Sequence, residues 1–411
     1  MKTKGNRILS GIFNGIFAAT LLTEIVCGLI WAFYNLTDYK NFAESQNLFA
    51  HLSSNPWMLP VIYILQIVIS GTFFYFASAA FLRAVTGNRI PARYPFLLML
   101  LILFCPYVWM TEFTLLPDAL GLSMAFLVIA YAFLFFRMSG SEKDWIYALM
   151  SAIWVVVLGL FFKKYFMAVL PVICLLGILS LFHLLGNSKK ETEKETEKET
   201  EKETGKGAGT GISAIISMAM IFLPVLLFAI AFIRSVSSIP SENELNVPAW
   251  MEYIFRIRLS GMTESSFVSV PSFLKGFCKE WLAAVLSPWI LALPKYPWGD
   301  TVNPFYVSIL WQKAASLTSF YLKCSSTGFA LLISFSVLNG IFKFFTQKGK
   351  GKKHTLINIC VFLGCLLFPA FLFLLLCIPE FDFRNAMIAY FTWAVFGAAL
   401  TLDYNSLEGE K

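Results

Sequence analysis

Hydrophobic residues in this chain fall into long unbroken runs rather than into the amphipathic stripes of a soluble helix or the alternation of a strand. Polar residues gather in the short gaps between them. A helix that crosses a bilayer needs about 20 mostly apolar residues, because the hydrocarbon core is about 30 Å thick and each residue rises 1.5 Å. The pattern predicts an all-α polytopic membrane protein with about ten transmembrane helices. The runs are Ile8–Tyr34, Trp57–Leu82, Pro95–Met110, Asp118–Phe136, Trp145–Phe162, Tyr165–Leu185, Ile212–Ile233, Gly328–Phe345, Leu356–Ile378 and Ala386–Leu402. The third is short and carries Pro106. The first is too long for a signal peptide and lacks a small-residue cleavage site, so it is expected to span.

Two stretches interrupt this pattern. Residues 187–211 form a low-complexity linker, KETEKETEKETEKET followed by GKGAGTG, too poor in apolar residues to build a core. It separates an N-terminal transmembrane module, 1–186, from a C-terminal one, 212–411. The second stretch, the loop 234–327, is rich in proline and aromatics, including Trp250, Trp281, Trp289, Trp298 and Trp311. Its section Phe273–Leu293 is apolar but broken by Lys275, Lys279, Glu280 and Pro288. It is expected to form an outer-face helical loop region with helices lying on the membrane surface. A pair of extra crossings there would leave the final orientation unchanged.

Composition agrees with the runs. The chain is 58% hydrophobic and 14% charged, with a mean hydropathy of +0.70. A soluble domain carries about 25% charged residues, so this chain has too little polar surface to be one. The formal charge of +7 reflects basic residues flanking the apolar runs and gives no ground for nucleic-acid binding. Arg83, Arg89 and Arg93, then Arg137 and Lys143, then Lys189 and Lys190, then the basic stretch Lys343–Lys353 fall on alternate connections. By the positive-inside rule these connections are cytoplasmic, as are both termini. The expected location is a plasma membrane, and a bacterial one.

Six of the eight cysteines, Cys27, Cys105, Cys174, Cys360, Cys365 and Cys377, lie in apolar runs, where cysteine behaves as a small hydrophobe. Cys278 and Cys324 fall in the outer loop and could pair if it faces an oxidising space. The three histidines, His51, His183 and His354, are far apart, and no metal site is expected from them.

On this topology the charged residues at helix ends collect on the outer side. They are Glu24 and Asp38, Glu112 and Asp118, the pair Lys163 and Lys164, and Glu380, Asp382 and Arg384. Charges at membrane depth cost about 2.5–3.5 kcal/mol each on insertion scales, so both signs at one face suggest a polar cavity opening outward. Solvated loops would also explain Glu112 or Glu380, and Asp118 after Pro117 is a good helix N-cap. Glu24, inside an apolar run, is harder to explain that way. Lys163 and Lys164 place paired cations on the side the topology rule disfavours, which hints at an anion such as a lipid phosphate.

The sequence shows no phosphate-binding glycine loop and no nucleophile elbow. An enzyme of this shape would take its donor from the membrane, and a lipid-phosphate-linked sugar meets that need. Its chemistry asks for an outer-face carboxylate base, for which Asp38 is the candidate. It also asks for cations that hold the leaving phosphate, for which Lys163, Lys164 and Arg384 are candidates.

The layout resembles the GT-C superfamily of integral membrane glycosyltransferases, in its bacterial mannosyltransferase-like and arabinosyltransferase-like branch. LTDYKNFAES, with Asp38, stands where that family has an acidic first outer loop. TEFTLLPDALGLSMAF, with Glu112 and Asp118, is similar to its second acidic site. VVLGLFFKKYFMAVLP supplies Lys163 and Lys164, and PEFDFRNAMIAYF supplies Arg384. The first loop lacks a paired acidic motif, with Asp38 standing apart from Glu44, and Asn385 stands where a tyrosine often follows the family's arginine. The layout match covers residues 8–185 well and the remainder loosely. The resemblance implies a polyprenyl-phosphate sugar donor, inversion at the sugar carbon and an outer-face site, and the sequence leaves open whether a divalent cation takes part. Asp38 would be catalytic, and Glu112, Asp118, Lys163, Lys164 and Arg384 would bind substrate. The acceptor would be a cell-surface glycan, lipid or protein. Two other readings share the composition: a transporter or flippase for lipid-linked saccharides, and a polysaccharide polymerase or ligase.

Overall fold

The computed structural model describes residues 4–36, 59–86, 90–113, 118–138, 144–162, 165–166, 168–180, 285–292, 309–346 and 383–401, together with isolated positions between them. All secondary structure among the described residues is helical. In chain order the helices are α1 (Lys4–Leu36), α2 (Leu59–Thr86), α3 (Arg93–Leu103), α4 (Pro106–Phe113), α5 (Asp118–Met138), α6 (Asp144–Phe161), α7 (Ala168–Ser180), α8 (Ser287–Ala292), α9 (Ile309–Thr346) and α10 (Phe383–Thr401). Four contain stretches long and apolar enough to cross a membrane: Gly11–Ile30, Val61–Val85, Asp118–Met138 and Phe320–Leu338. Stretches of α3, α6, α7 and α10 are also apolar but shorter. The expected spans 212–233 and 356–378 lie outside the described residues apart from isolated positions.

Burial separates the inside of the bundle from its lipid face. In α5, 89% of the apolar window is buried, against 22% in α1, so α5 is the central helix and α1 a peripheral one. The exposed residues of α1 and α2 include large apolar ones: Leu22, Val26 and Leu29 on one, Val61, Leu65 and Val68 on the other. Spaced three and four apart, they form a stripe on one side of each helix. An exposed apolar stripe of this kind suits contact with lipid tails.

Side-chain pairs fix the helix directions. Glu24 meets Ser325, Thr20 lies against Gly328 and Phe13 against Phe335, so α1 and α9 are antiparallel. Ser326 meets Tyr390 and Ser336 lies against Gly397, so α9 and α10 are parallel. Phe73 packs on Trp154 and Arg83 lies over the Tyr147 ring, which makes α2 and α6 antiparallel. Each relation is the one expected if every apolar segment crosses the membrane in turn. Phe391 of α10 joins the two groups. It stacks on Phe126 of α5, with ring centroids 3.8 Å apart, and lies 5.5 Å from Phe74 of α2.

The structure departs from the expected boundaries in two places. The outer loop was expected to run to Thr327, but α9 already begins at Ile309 and its apolar stretch starts at Phe320. Lys323, Cys324, Ser325 and Ser326 read as polar in sequence, yet both serines are fully buried against neighbouring helices. The second departure is α8, which falls in the section expected on the membrane surface. Trp289 Nε1 donates to Ser334 Oγ at 2.9 Å, well past the middle of the span Phe320–Leu338, and its ring meets Trp393 edge to face at 5.0 Å. Trp393 Nε1 in turn donates to the Val285 carbonyl at 2.7 Å. So α8 packs against α9 and α10, beside the second half of the candidate span Phe320–Leu338.

Candidate functional site

The expected third span is two helices. Pro106 has no N–H to give the Ile102 carbonyl, and that carbonyl accepts from Cys105 N at 3.1 Å instead. Val108 N turns to the Cys105 carbonyl at 3.0 Å, where an unbroken helix would direct it to Phe104. The Phe104 carbonyl is thereby released from the helix ladder. A bare carbonyl cannot stand in a bilayer interior, where it must find a protein partner. It accepts a hydrogen bond from the Tyr321 hydroxyl of α9. Beyond the break, Trp109 Nε1 donates to the Gly28 carbonyl of α1 at 2.9 Å.

These contacts enclose a polar cluster between α1, the α3–α4 break, α9 and α10. Glu24 is fully buried there, and its Oε1 accepts a hydrogen bond from Ser325 Oγ at 2.5 Å. Tyr390 donates to Ser326 Oγ at 2.6 Å, and its ring lies 5.3 Å from that of Tyr107. Most other buried hydroxyls bond within their own helix: Thr20 to Ile16, Ser70 to Gln66, Ser180 to Leu176, Thr392 to Ile388. That local arrangement needs no second helix. Ser325 and Ser326 spend their hydroxyls between helices, which marks this region as specifically organised.

A second polar contact lies at the start of α5. Asp118, the first residue of that helix, accepts a hydrogen bond from Tyr165 Oη at 2.5 Å, and both residues are buried. Gly121 makes room for the tyrosine, since a methyl at that position would lie 2.5 Å from the Tyr165 ring. Below it runs a narrow apolar crevice lined by Leu122, Phe126, Ile129, Tyr165, Val169 and Ile388.

The residues singled out in the sequence stand as follows. Asp38, Lys163 and Lys164 lie outside the described residues. Glu112 belongs to the last turn of α4 and Arg384 to the first turn of α10, but their side chains lie outside the described ones. Asp118 is the first residue of α5, and its carboxylate is tied to Tyr165, the residue that follows Lys164. Cys278 and Cys324 are free thiols and form no disulfide. Among the described residues no group of three histidine, cysteine, aspartate or glutamate side chains could hold a metal ion.

Sequence reasoning missed Ser325, Ser326, Tyr321 and the Phe104 carbonyl. The available signals were Glu24 in an apolar run and Pro106 in a short one. Against family models, curated proteins and solved structures alike, the chain has no match.

Proposed function

We propose that this membrane protein is a glycosyltransferase that takes its sugar from a polyprenyl-phosphate carrier at the outer face. The observation that supports it most is the Tyr165–Asp118 hydrogen bond. It pins the start of the segment after Lys163 and Lys164 to the acidic end of α5. The short connection from α4 brings Glu112 towards the same end. If α10 crosses parallel to α5, as alternating spans require, Arg384 begins its helix on that side too. Acids and cations then line one outward-opening region, as sugar transfer from a lipid phosphate needs.

In this reaction Asp38 is the base that takes the acceptor hydroxyl proton. Lys163, Lys164 and Arg384 hold the carrier phosphate as the glycosidic bond to it breaks. Asp118 is then a positioning residue, because its carboxylate is engaged by Tyr165. The test is transfer from a radiolabelled polyprenyl-phosphate sugar by the purified protein, with bound carrier lipid identified by native mass spectrometry. Transfer that is lost in Asp38→Asn, with carrier still bound, supports the reading. A folded protein that binds no carrier removes it.

The break between α3 and α4 favours a second reading, a transporter or flippase for a lipid-linked saccharide, since interrupted helices recur at transport sites. Movement of a labelled lipid-linked saccharide across proteoliposomes, without transfer to an acceptor, would favour that reading.

A further inference from the structure

Glu24 is a carboxylate inside the candidate span Gly11–Ile30, with none of its surface exposed. Its Oε1 is held by Ser325, but its Oε2 has no hydrogen-bond partner among the described residues. No described basic side chain stands beside it. A buried carboxylate with one unsatisfied oxygen is costly unless something positive meets it.

The surroundings show what could. One helical turn from Glu24, at Gly28, α1 comes so close to α9 that a methyl would lie 3.1 Å from Tyr321 Oη. Tyr321 is likewise one turn of α9 from Ser325. The two helices therefore present two successive rungs. The first is Glu24 with Ser325, and the second is Tyr321 with the Phe104 carbonyl released by the helix break. Rungs four residues apart are separated by about 6 Å. Two oxygens held by one cation at about 2.3–2.6 Å, as by calcium, lie at most about 5 Å apart, so side chains on rungs about 6 Å apart along the backbone need converge by only about 1 Å to share an ion.

We propose that the space between these rungs binds a sodium-sized monovalent cation, with Glu24 Oε2 supplying the charge. Ser325 Oγ, Tyr321 Oη and the Phe104 carbonyl supply neutral oxygen. A carbonyl oxygen has two lone pairs, so the bond from Tyr321 leaves Phe104 a second one for an ion. One carboxylate balances one positive charge. The donors are hard oxygens, which suit an alkali ion better than a soft metal. Cys27, Cys105 and Cys324 border the cluster, but no described group of three acids, sulfurs or imidazoles converges as a transition metal would require. The ion would tie α1, α9 and the α3–α4 break into one unit. This site stands independently of the sugar-transfer reading, because none of its residues serves that reaction.

The test uses the full chain purified in detergent without sodium, at ionic strength held constant with choline chloride. Sodium chloride titration is expected to raise the thermal unfolding midpoint saturably, with a much weaker response to potassium. Equilibrium binding of radioactive sodium is expected to give one ion per chain. Glu24→Gln should abolish both effects. Should Glu24→Gln fail to fold, Ser325→Ala and Tyr321→Phe keep the carboxylate, and each should weaken sodium about tenfold by removing one ligand. A folded wild-type protein that binds no radioactive sodium and melts identically in sodium and choline overturns the proposal and leaves a proton as the partner of Glu24. Sodium binding that is unchanged in the foldable variants overturns it as well.

Discussion

Gly328 of α9 and Thr20 of α1 approach so closely that a methyl at Gly328 would lie 2.6 Å from Thr20 Cγ2 and 2.9 Å from its Cβ. Helices in a membrane gain stability from close packing of this kind, because lipid tails are as apolar as the side chains they replace. Gly328→Ala is expected to push the helices apart and cost about 1–3 kcal/mol. Gly15→Ala is the control, since nothing lies within 4 Å of a methyl there. It should be neutral or stabilising by up to about 1 kcal/mol through helix propensity. Reversible unfolding in mixed micelles measures both. Equal stabilities of the two variants would contradict the α1–α9 packing.

Tyr165→Phe removes one hydrogen bond from the buried Asp118 side chain. Hydrogen bonds to charged groups contribute about 1.5–3 kcal/mol, so a loss of stability in that range is expected. Sugar transfer should fall further than stability does, because Lys163 and Lys164 lose their anchor. The signature is a weakened affinity for the carrier lipid, measured by binding. Unchanged affinity in a folded Tyr165→Phe protein would separate Tyr165 from the donor site.

The spanning helices were legible because an unbroken apolar run of membrane length has no polar face to turn towards water. The helices α1, α2 and α5 fall close to their expected positions. The start of α9 was not legible, because Ser325 and Ser326 look like loop residues until Glu24 and Tyr390 are placed against them. Local hydropathy cannot record a polar contact between residues about 300 positions apart. The α3–α4 break was half legible: Pro106 announced it, but the fate of the Phe104 carbonyl depends on Tyr321, far along the chain. At the expected catalytic end, Asp118 alone can be compared side chain for side chain.

Cys278 is exposed, whereas Cys27 and Cys105 are buried in the bundle. On the expected topology Cys278 belongs to the outer loop. A variant that keeps Cys278 as its only cysteine should react with a membrane-impermeant maleimide added to intact cells. A variant that keeps only Cys105 should react after denaturation alone. Labelling of Cys278 only after the cells are opened would reverse the orientation, and with it the outer-face reading of the site.

Tyr321→Phe is the sharpest probe of the helix break. The tyrosine is fully buried, and its hydroxyl is the donor to the Phe104 carbonyl. Phenylalanine keeps the ring and removes the hydroxyl that makes that bond, and in sodium-free buffer the loss reports the bond alone. Leaving a buried acceptor unsatisfied costs about 1–3 kcal/mol, though cross-helix bonds in membranes average about 0.6 kcal/mol because the unfolded state also finds partners. The larger figure is expected here, since Val108 N, the donor the Phe104 carbonyl would have in an unbroken helix, is engaged by the Cys105 carbonyl. Trp109→Phe removes the neighbouring bond to the Gly28 carbonyl. Because both bonds hold the same break against α1 and α9, the double variant should lose less than the two single losses combined. Strict additivity in a double-mutant cycle would show that the two contacts act separately and that the break is not held as one unit.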